Sequence, residues 1–188
     1  MVPIGGGQPP AFKANSPLGK IPLLRIGDNW LPDSSAICAW MDRATPQPPL
    51  LPADPIAAAR GLWYEEYADS RMVAVIGGHL FVEVVLAKAL MQREPVQEDI
   101  EAAIKVEIPQ IFDYLEGQLQ HNYLLGADIT LADYAVGSLF VTLLHCKYQC
   151  DAKRWPKVAA YIDRLVGSAL FTPIIAEEKQ VLASMGVQ

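Results

Sequence analysis

The chain has 188 residues, 52% of them hydrophobic and 19% charged, which is ample apolar material for a core and room for one or two globular domains. A formal net charge of -6 argues against nucleic acid or an anionic membrane as partner, because neither attracts a net acidic surface, and no basic block interleaved with aromatics occurs. Three cysteines without framework spacing, and a start lacking a charged-then-apolar signal segment, fit a reducing, cytoplasmic setting.

In chain order, Met1 to Pro10 holds Gly5-Gly6-Gly7 with Pro3, Pro9 and Pro10, a loop composition, and Ala11 to Asn15 reads as a short helical turn. Two short apolar runs, Ile21-Pro22-Leu23-Leu24-Arg25-Ile26 and Trp30-Leu31, flank Gly27-Asp28-Asn29 and predict a β-hairpin. A proline at the head of an apolar strand removes a ladder N–H, and an X-Pro bond adopts cis at modest cost. The Ile21 backbone would then be turned toward a ligand and could pair with a peptide-like molecule as an added strand would. Asp33-Ser34-Ser35 follows, with Ile37, Trp40 and Met41 at helical spacing behind it. Asp and Ser cap helix N-termini, where several N–H groups lack partners. Such an end seats a carboxylate beside Ser34, while Asp33 holds an ammonium group: together, a receptor for an α-amino acid head.

Ser16-Pro17-Leu18-Gly19-Lys20-Ile21-Pro22-Leu23-Leu24, followed by Asp33-Ser34-Ser35-Ala36-Ile37, closely resembles the glutathione transferase family. The resemblance implies a thioredoxin-like N-terminal domain and an all-helical C-terminal one. It further implies that Ile21, before the proline, pairs with the cysteinyl backbone of glutathione. Asp33 and Ser34 would hold the γ-glutamyl group, and Lys20 would reach the glycyl end. A thioredoxin-like domain needs a β-α-β unit ahead of this strand, about 30 or more residues. Most of Met1 to Ile21 is loop-forming, so the first unit, with the catalytic Tyr, Ser or Cys that stabilises the glutathione thiolate, is expected to be missing from this chain. Three expectations stand side by side: an upstream segment carries that unit, the protein is a non-catalytic binder, or the chain is a fragment with a folded helical domain and an idle hairpin.

Pro46-Gln47-Pro48-Pro49-Leu50-Leu51-Pro52 reads as a linker, and Asp54-Pro55 as the cap and first position of a long helix reaching about Gln92, kinked at Gly77-Gly78. Its most apolar window, Met72 to Met91, carries His79, Glu83 and Lys88. Charges at mid-span cost about 2.5–3.5 kcal/mol each on insertion, so the window reads as a buried helix. After Glu94-Pro95, a stripe of Ile100, Ile104, Ile108, Ile111, Leu115 and Leu119 predicts a core-facing helix, bent at Pro109. In Gly126-Ala127-Asp128-Ile129-Thr130-Leu131-Ala132-Asp133-Tyr134, Thr130 is the N-cap and Asp133 the residue that returns a bond to it, with Ile129 and Tyr134 as the staple. Thr130 and Asp133 are therefore assigned to stability, as the resemblance also implies. Helices over Pro156–Val166 and Pro173–Met185 close the chain.

The expected architecture is mainly α: a partial thioredoxin-like α/β domain over residues 1–45, a linker at 46–53, and an all-helical bundle over 54–188. Tyr64 and Tyr67 are candidates for an electrophile pocket as well as for plain core, and Trp63 and Arg60 for that pocket or a dimer contact. His145, Cys146, Cys150 and Asp151 lack a second ligand pair and are read as structural, with no metal. Cys38, one turn into the Asp33 helix, is read as packed, although the helix dipole would favour its thiolate. The resemblance implies glutathione as substrate, a small hydrophobic electrophile as its partner in conjugation, and a homodimer. The alternative is a non-catalytic member that binds small molecules or a protein partner.

Overall fold

A computed structural model describes residues 9–187, so the loop expected over Met1 to Gln8 lies outside the described residues. The chain divides into two compact units between Leu51 and Pro52.

The first unit starts with α1 (Pro10–Asn15), which has proline in its first turn and is anchored by the buried Phe12. Strands β1 (Leu23–Ile26) and β2 (Asn29–Pro32) pair antiparallel, with Leu23 opposite Pro32 and Ile26 opposite Asn29. Gly27 and Asp28 make the turn, and Gly27 takes φ 59° there, a positive value that two-residue hairpin turns need and glycine adopts freely. Helix α2 (Ser34–Ala44) follows directly. It buries no residue completely, and Trp40 and Met41 are exposed. Among the described residues the sheet has two strands, so little material covers its faces.

The second unit is helical. Helix α3 (Pro55–Ala89) runs for 35 residues, uninterrupted through Gly77 and Gly78. The Asp54 carboxylate caps it, accepting from the Ala57 N–H at 2.8 Å, and Pro55 occupies the first turn. Its middle, Ala68–Leu86, is wound in wider π-helical turns. By length and composition α3 would cross a bilayer. Here its Met72, Val75, Ile76 and Leu80 instead pack in one core with residues of the later helices. Glu83, 4% exposed, receives both Arg93 guanidinium nitrogens at 2.6 and 2.5 Å and the Val96 N–H at 2.8 Å, which ties the connecting segment back onto α3.

Helix α4 spans residues 97–118 and joins three stretches, Gln97–Ala102, Ala103–Glu107 and Ile108–Gln118. The middle stretch is π-wound just before Pro109. Proline has no N–H to give and its ring crowds the preceding turn, so a local change of winding is the accommodation expected there. It also changes which side chains face inward. Ile108, Ile111, Leu115 and Leu119 are buried as their spacing predicts, but Ile104 is 41% exposed and Ala103 takes the inward place. Helices α5 (Leu131–His145), α6 (Pro156–Val166) and α7 (Thr172–Ser184) complete the unit. Phe112 lies edge-on to Phe140, Tyr148 and Trp155 at its centre.

Candidate functional site

In the first unit the two sequence motifs meet through the hairpin. Pairing of Leu23 with Pro32 brings the head of β1 beside the end of β2, and the Asp33 N–H donates to the Pro22 carbonyl at 3.4 Å. The Ile21–Pro22 peptide bond is cis. Ile21 is 60% exposed, and its backbone N–H and C=O take no hydrogen bond among the described residues. Lys20 is exposed as well. Its carbonyl accepts from the buried Ser16 hydroxyl at 2.8 Å, while its ammonium makes no ion pair among the described residues.

Asp33 is the N-cap of α2, with φ 81°. A residue with a Cβ pays about 1–3 kcal/mol for such a sparsely populated backbone region, and sites of this kind concentrate where ligands bind. Its Oδ1 accepts from the N–H groups of Ser35 and Ala36 at 3.0 and 3.2 Å. The carboxylate thus spends one oxygen on its own helix. It covers two of the free donors at this helix end, so fewer remain for a ligand than a bare N-terminus would offer. The Ser34 N–H and hydroxyl take no partner among the described residues. What this end presents is one amide donor, one hydroxyl, the second carboxylate oxygen of Asp33 and an unpaired strand-like backbone at Ile21.

Tyr64 and Tyr67 lie in the second unit, Tyr64 within the hydrophobic core and Tyr67 packed against it. Tyr64 is 4% exposed within the core, its hydroxyl donating to Gln118 Oε1 at 3.4 Å and its pKa raised chiefly by burial. Tyr67 is half-buried between Trp63 and Tyr114, with ring centroids 6.0 and 5.0 Å away. Trp63 is exposed and its indole N–H donates to the Tyr114 hydroxyl at 2.8 Å.

The Asp133 carboxylate is wholly buried and accepts four donors. Oδ2 takes the Thr130 N–H and hydroxyl, both at 2.8 Å. Oδ1 takes the Leu124 N–H at 3.0 Å and the Tyr161 hydroxyl at 2.6 Å. Spacing could announce the bond to Thr130 but gives no signal for Leu124 or Tyr161, which lie nine and 28 residues away. Burial and the adjacent Asp133 charge push the Tyr161 hydroxyl pKa far up. Asp133 is thus the junction of the 123–130 loop, α5 and α6.

The four residues read as structural near the end of α5 disperse. His145 bonds Glu178 of α7 at 2.8 Å, and Asp151 accepts from the Lys153 N–H at 2.9 Å. Burial pushes the Cys146 thiol up to about 12 and, with help from nearby carboxylates, the Cys150 thiol up to about 11. Among the described residues no group of three or more His, Cys, Asp or Glu side chains is placed to hold a metal ion.

Comparison with known proteins returns the family that the two motifs suggested. The family model for the glutathione S-transferase N-terminal domain matches residues 1–49, and that for the C-terminal domain matches residues 82–168. Glutathione S-transferase theta-1 of Bos taurus is 31% identical over 169 residues, covering 86% of this chain and 68% of its own length. Elongation factor 1-gamma 2 of Oryza sativa subsp. japonica is 25% identical over 95% of this chain, which spans 42% of that protein. Glutathione S-transferase DHAR3, chloroplastic, of Arabidopsis thaliana is 23% identical over 94% of this chain, which spans 61% of it. In fold the chain matches the crystal structure of a glutathione S-transferase from Rhodospirillum rubrum F11 with a TM-score of 0.79, at 19% identity, over 88% of this chain and 75% of that one. With both domain models matched in order along one chain, and a bovine relative aligned across most of it, the protein belongs to the glutathione transferase family.

Proposed function

We propose that the first unit grips glutathione and that the protein joins the glutathione sulfur to a small hydrophobic electrophile. The observation that carries this reading is the pairing on one hairpin of two surfaces unsatisfied among the described residues: the Ile21 backbone and the helix end with the Ser34 N–H and hydroxyl. The cysteinyl backbone of the tripeptide would pair with Ile21 as an extra strand, its γ-glutamyl carboxylate would sit on Ser34, and its ammonium on the free Asp33 oxygen. Lys20 would meet the glycyl carboxylate, and the Pro22 carbonyl, accepting from the Asp33 N–H, holds the Ile21 end of the strand beside Asp33. In the reaction the thiolate forms a new S–C bond as the electrophile's leaving group departs. Residues 1–45 would serve as the glutathione-binding domain, 46–53 as linker and 54–188 as the helical domain, in a cytoplasmic homodimer. Exposed Ile56, Leu62 and Trp63 on α3 support an association surface.

A second reading is a binding module without turnover, favoured by the likeness to elongation factor 1-gamma 2 across nearly the whole chain. Calorimetry with reduced glutathione, followed by chromatographic detection of the thioether formed from glutathione and 1-chloro-2,4-dinitrobenzene, separates the two. Binding with turnover supports the enzyme; binding without turnover supports the module; no binding at millimolar glutathione rejects the proposed site.

A further inference from the structure

Away from the first unit, the second unit carries a cavity of about 340 Å³ between α5, the segment after it and α6. This is the size range of small-molecule sites, which are mostly apolar with few polar groups. Its lining is aromatic and aliphatic, chiefly Phe140, Leu143, Leu144, Ile162 and Val166, with Cys150 at one side. Asp163 supplies the single formal charge among the lining residues. The Asp163 carboxylate forms no ion pair or side-chain hydrogen bond among the described residues. Arg154, in the segment after α5, is taken up by Asp113 at 3.1 Å and by the Trp155 ring, while Lys147 and Lys153 adjoin the lining residues Tyr148 and Ala152 in sequence.

We propose that this cavity binds a small organic cation with an apolar body, its cationic end beside Asp163 and its body against Phe140, Leu143 and Ile162. An apolar wall beside one exposed carboxylate favours such a molecule over a neutral one by the modest worth of an exposed ion pair, and over an anion, which it would repel. The sulfur at the cavity wall senses the same field. The Cys150 thiol pKa is raised first by burial and then by Glu116, Asp151 and Asp163, with no cation opposing them. Tyr148 also lines the cavity, and an aromatic ring attracts a cationic group. The inference is independent of the glutathione site, because every residue it uses lies in the second unit.

The test is calorimetry of the full chain with 1-adamantylammonium, and with the neutral 1-adamantanemethanol as control. The cation is expected to bind, the neutral analogue about three- to five-fold more weakly, and Asp163→Asn to weaken the cation by the same factor, as loss of one exposed ion pair should. Ala159→Phe, which fills the cavity, is expected to remove binding of both. Should that variant fail to fold, Asp163→Asn, a surface exchange, still decides the matter. No binding of the cation at millimolar concentration, equal affinity for the two compounds, or an unaltered affinity in Asp163→Asn overturns the proposal. A glutathione titration of Asp163→Asn runs alongside and is expected to match the parent chain, so failure at either site is read separately.

Discussion

The Asp33 N–H donates to the Pro22 carbonyl at 3.4 Å, and this contact joins the head of β1 to the start of α2. Two motifs eleven residues apart in sequence thereby become one surface. The open Ile21 backbone stands on one side and the Ser34 helix end on the other, with Asp33 between them at a positive φ.

Asp33 has two duties that substitution can separate. Asparagine retains a capping oxygen and tolerates positive φ, so Asp33→Asn is expected to keep the melting temperature of the parent chain. It removes the charge proposed for the ammonium, and glutathione binding is expected to weaken by about 1–3 kcal/mol. Asp33→Ala is expected to lose the cap as well, about 1 kcal/mol of stability. Melting curves and calorimetry on the two variants check this. Equal glutathione affinity in Asp33→Asn and the parent would remove Asp33 from the site.

Asp133 with its four donors is the polar junction of the helical unit. Asp133→Ala leaves the Tyr161 hydroxyl and two buried N–H groups without acceptors and is expected to cost about 3–5 kcal/mol. Tyr161→Phe removes one donor from a carboxylate that keeps three, and about 1–3 kcal/mol is expected. In urea melts the double variant should be less destabilised than the sum of the two, because they share a bond.

Glu83 gives the acid behaviour a definite window. The Arg93 guanidinium and the Val96 N–H hold its carboxyl down at about 2, against an ordinary value of 4.5. A depressed folded-state pKa adds stability that is complete above the unfolded value and is lost as pH falls toward the folded one. Glu83→Gln is therefore expected to be less stable than the parent at neutral pH. The difference should shrink as pH falls from about 4.5 toward about 2. A constant difference across that range in chemical melts would contradict the assignment.

With thiols pushed up to about 12 and about 11, Cys146 and Cys150 carry almost no thiolate near neutral pH. In the folded protein at pH 7.5, iodoacetamide is expected to leave both unmodified over times that alkylate them fully in urea. Peptide mass spectrometry reads this directly.

Much of the helical unit was legible because its signals are local. Thr130 and Asp133 are three residues apart, and the helices close where proline and capping residues stand. Ile104 shows where periodicity stops working. A constant step of three or four assumes one winding throughout, and the π turns ahead of Pro109 rotate that residue outward. The partners of Asp133 and the Glu83–Arg93 clamp were not legible, since both depend on chain segments brought together only by folding. At the candidate site the motifs announced Ile21 and Ser34. The use of one Asp33 oxygen on its own helix was a matter of side-chain geometry that residue order alone does not carry.

The central claim is that glutathione lies along the hairpin edge at Ile21 with its γ-glutamyl end on Ser34. The most direct measurement is a titration with reduced glutathione followed by the backbone amide resonances of the labelled chain. Saturable shifts concentrated at Ile21, Asp33, Ser34 and Ser35, and lost in Ser34→Ala, are the predicted result. Absence of saturable change at those amides, or changes confined to the helical unit, would contradict it.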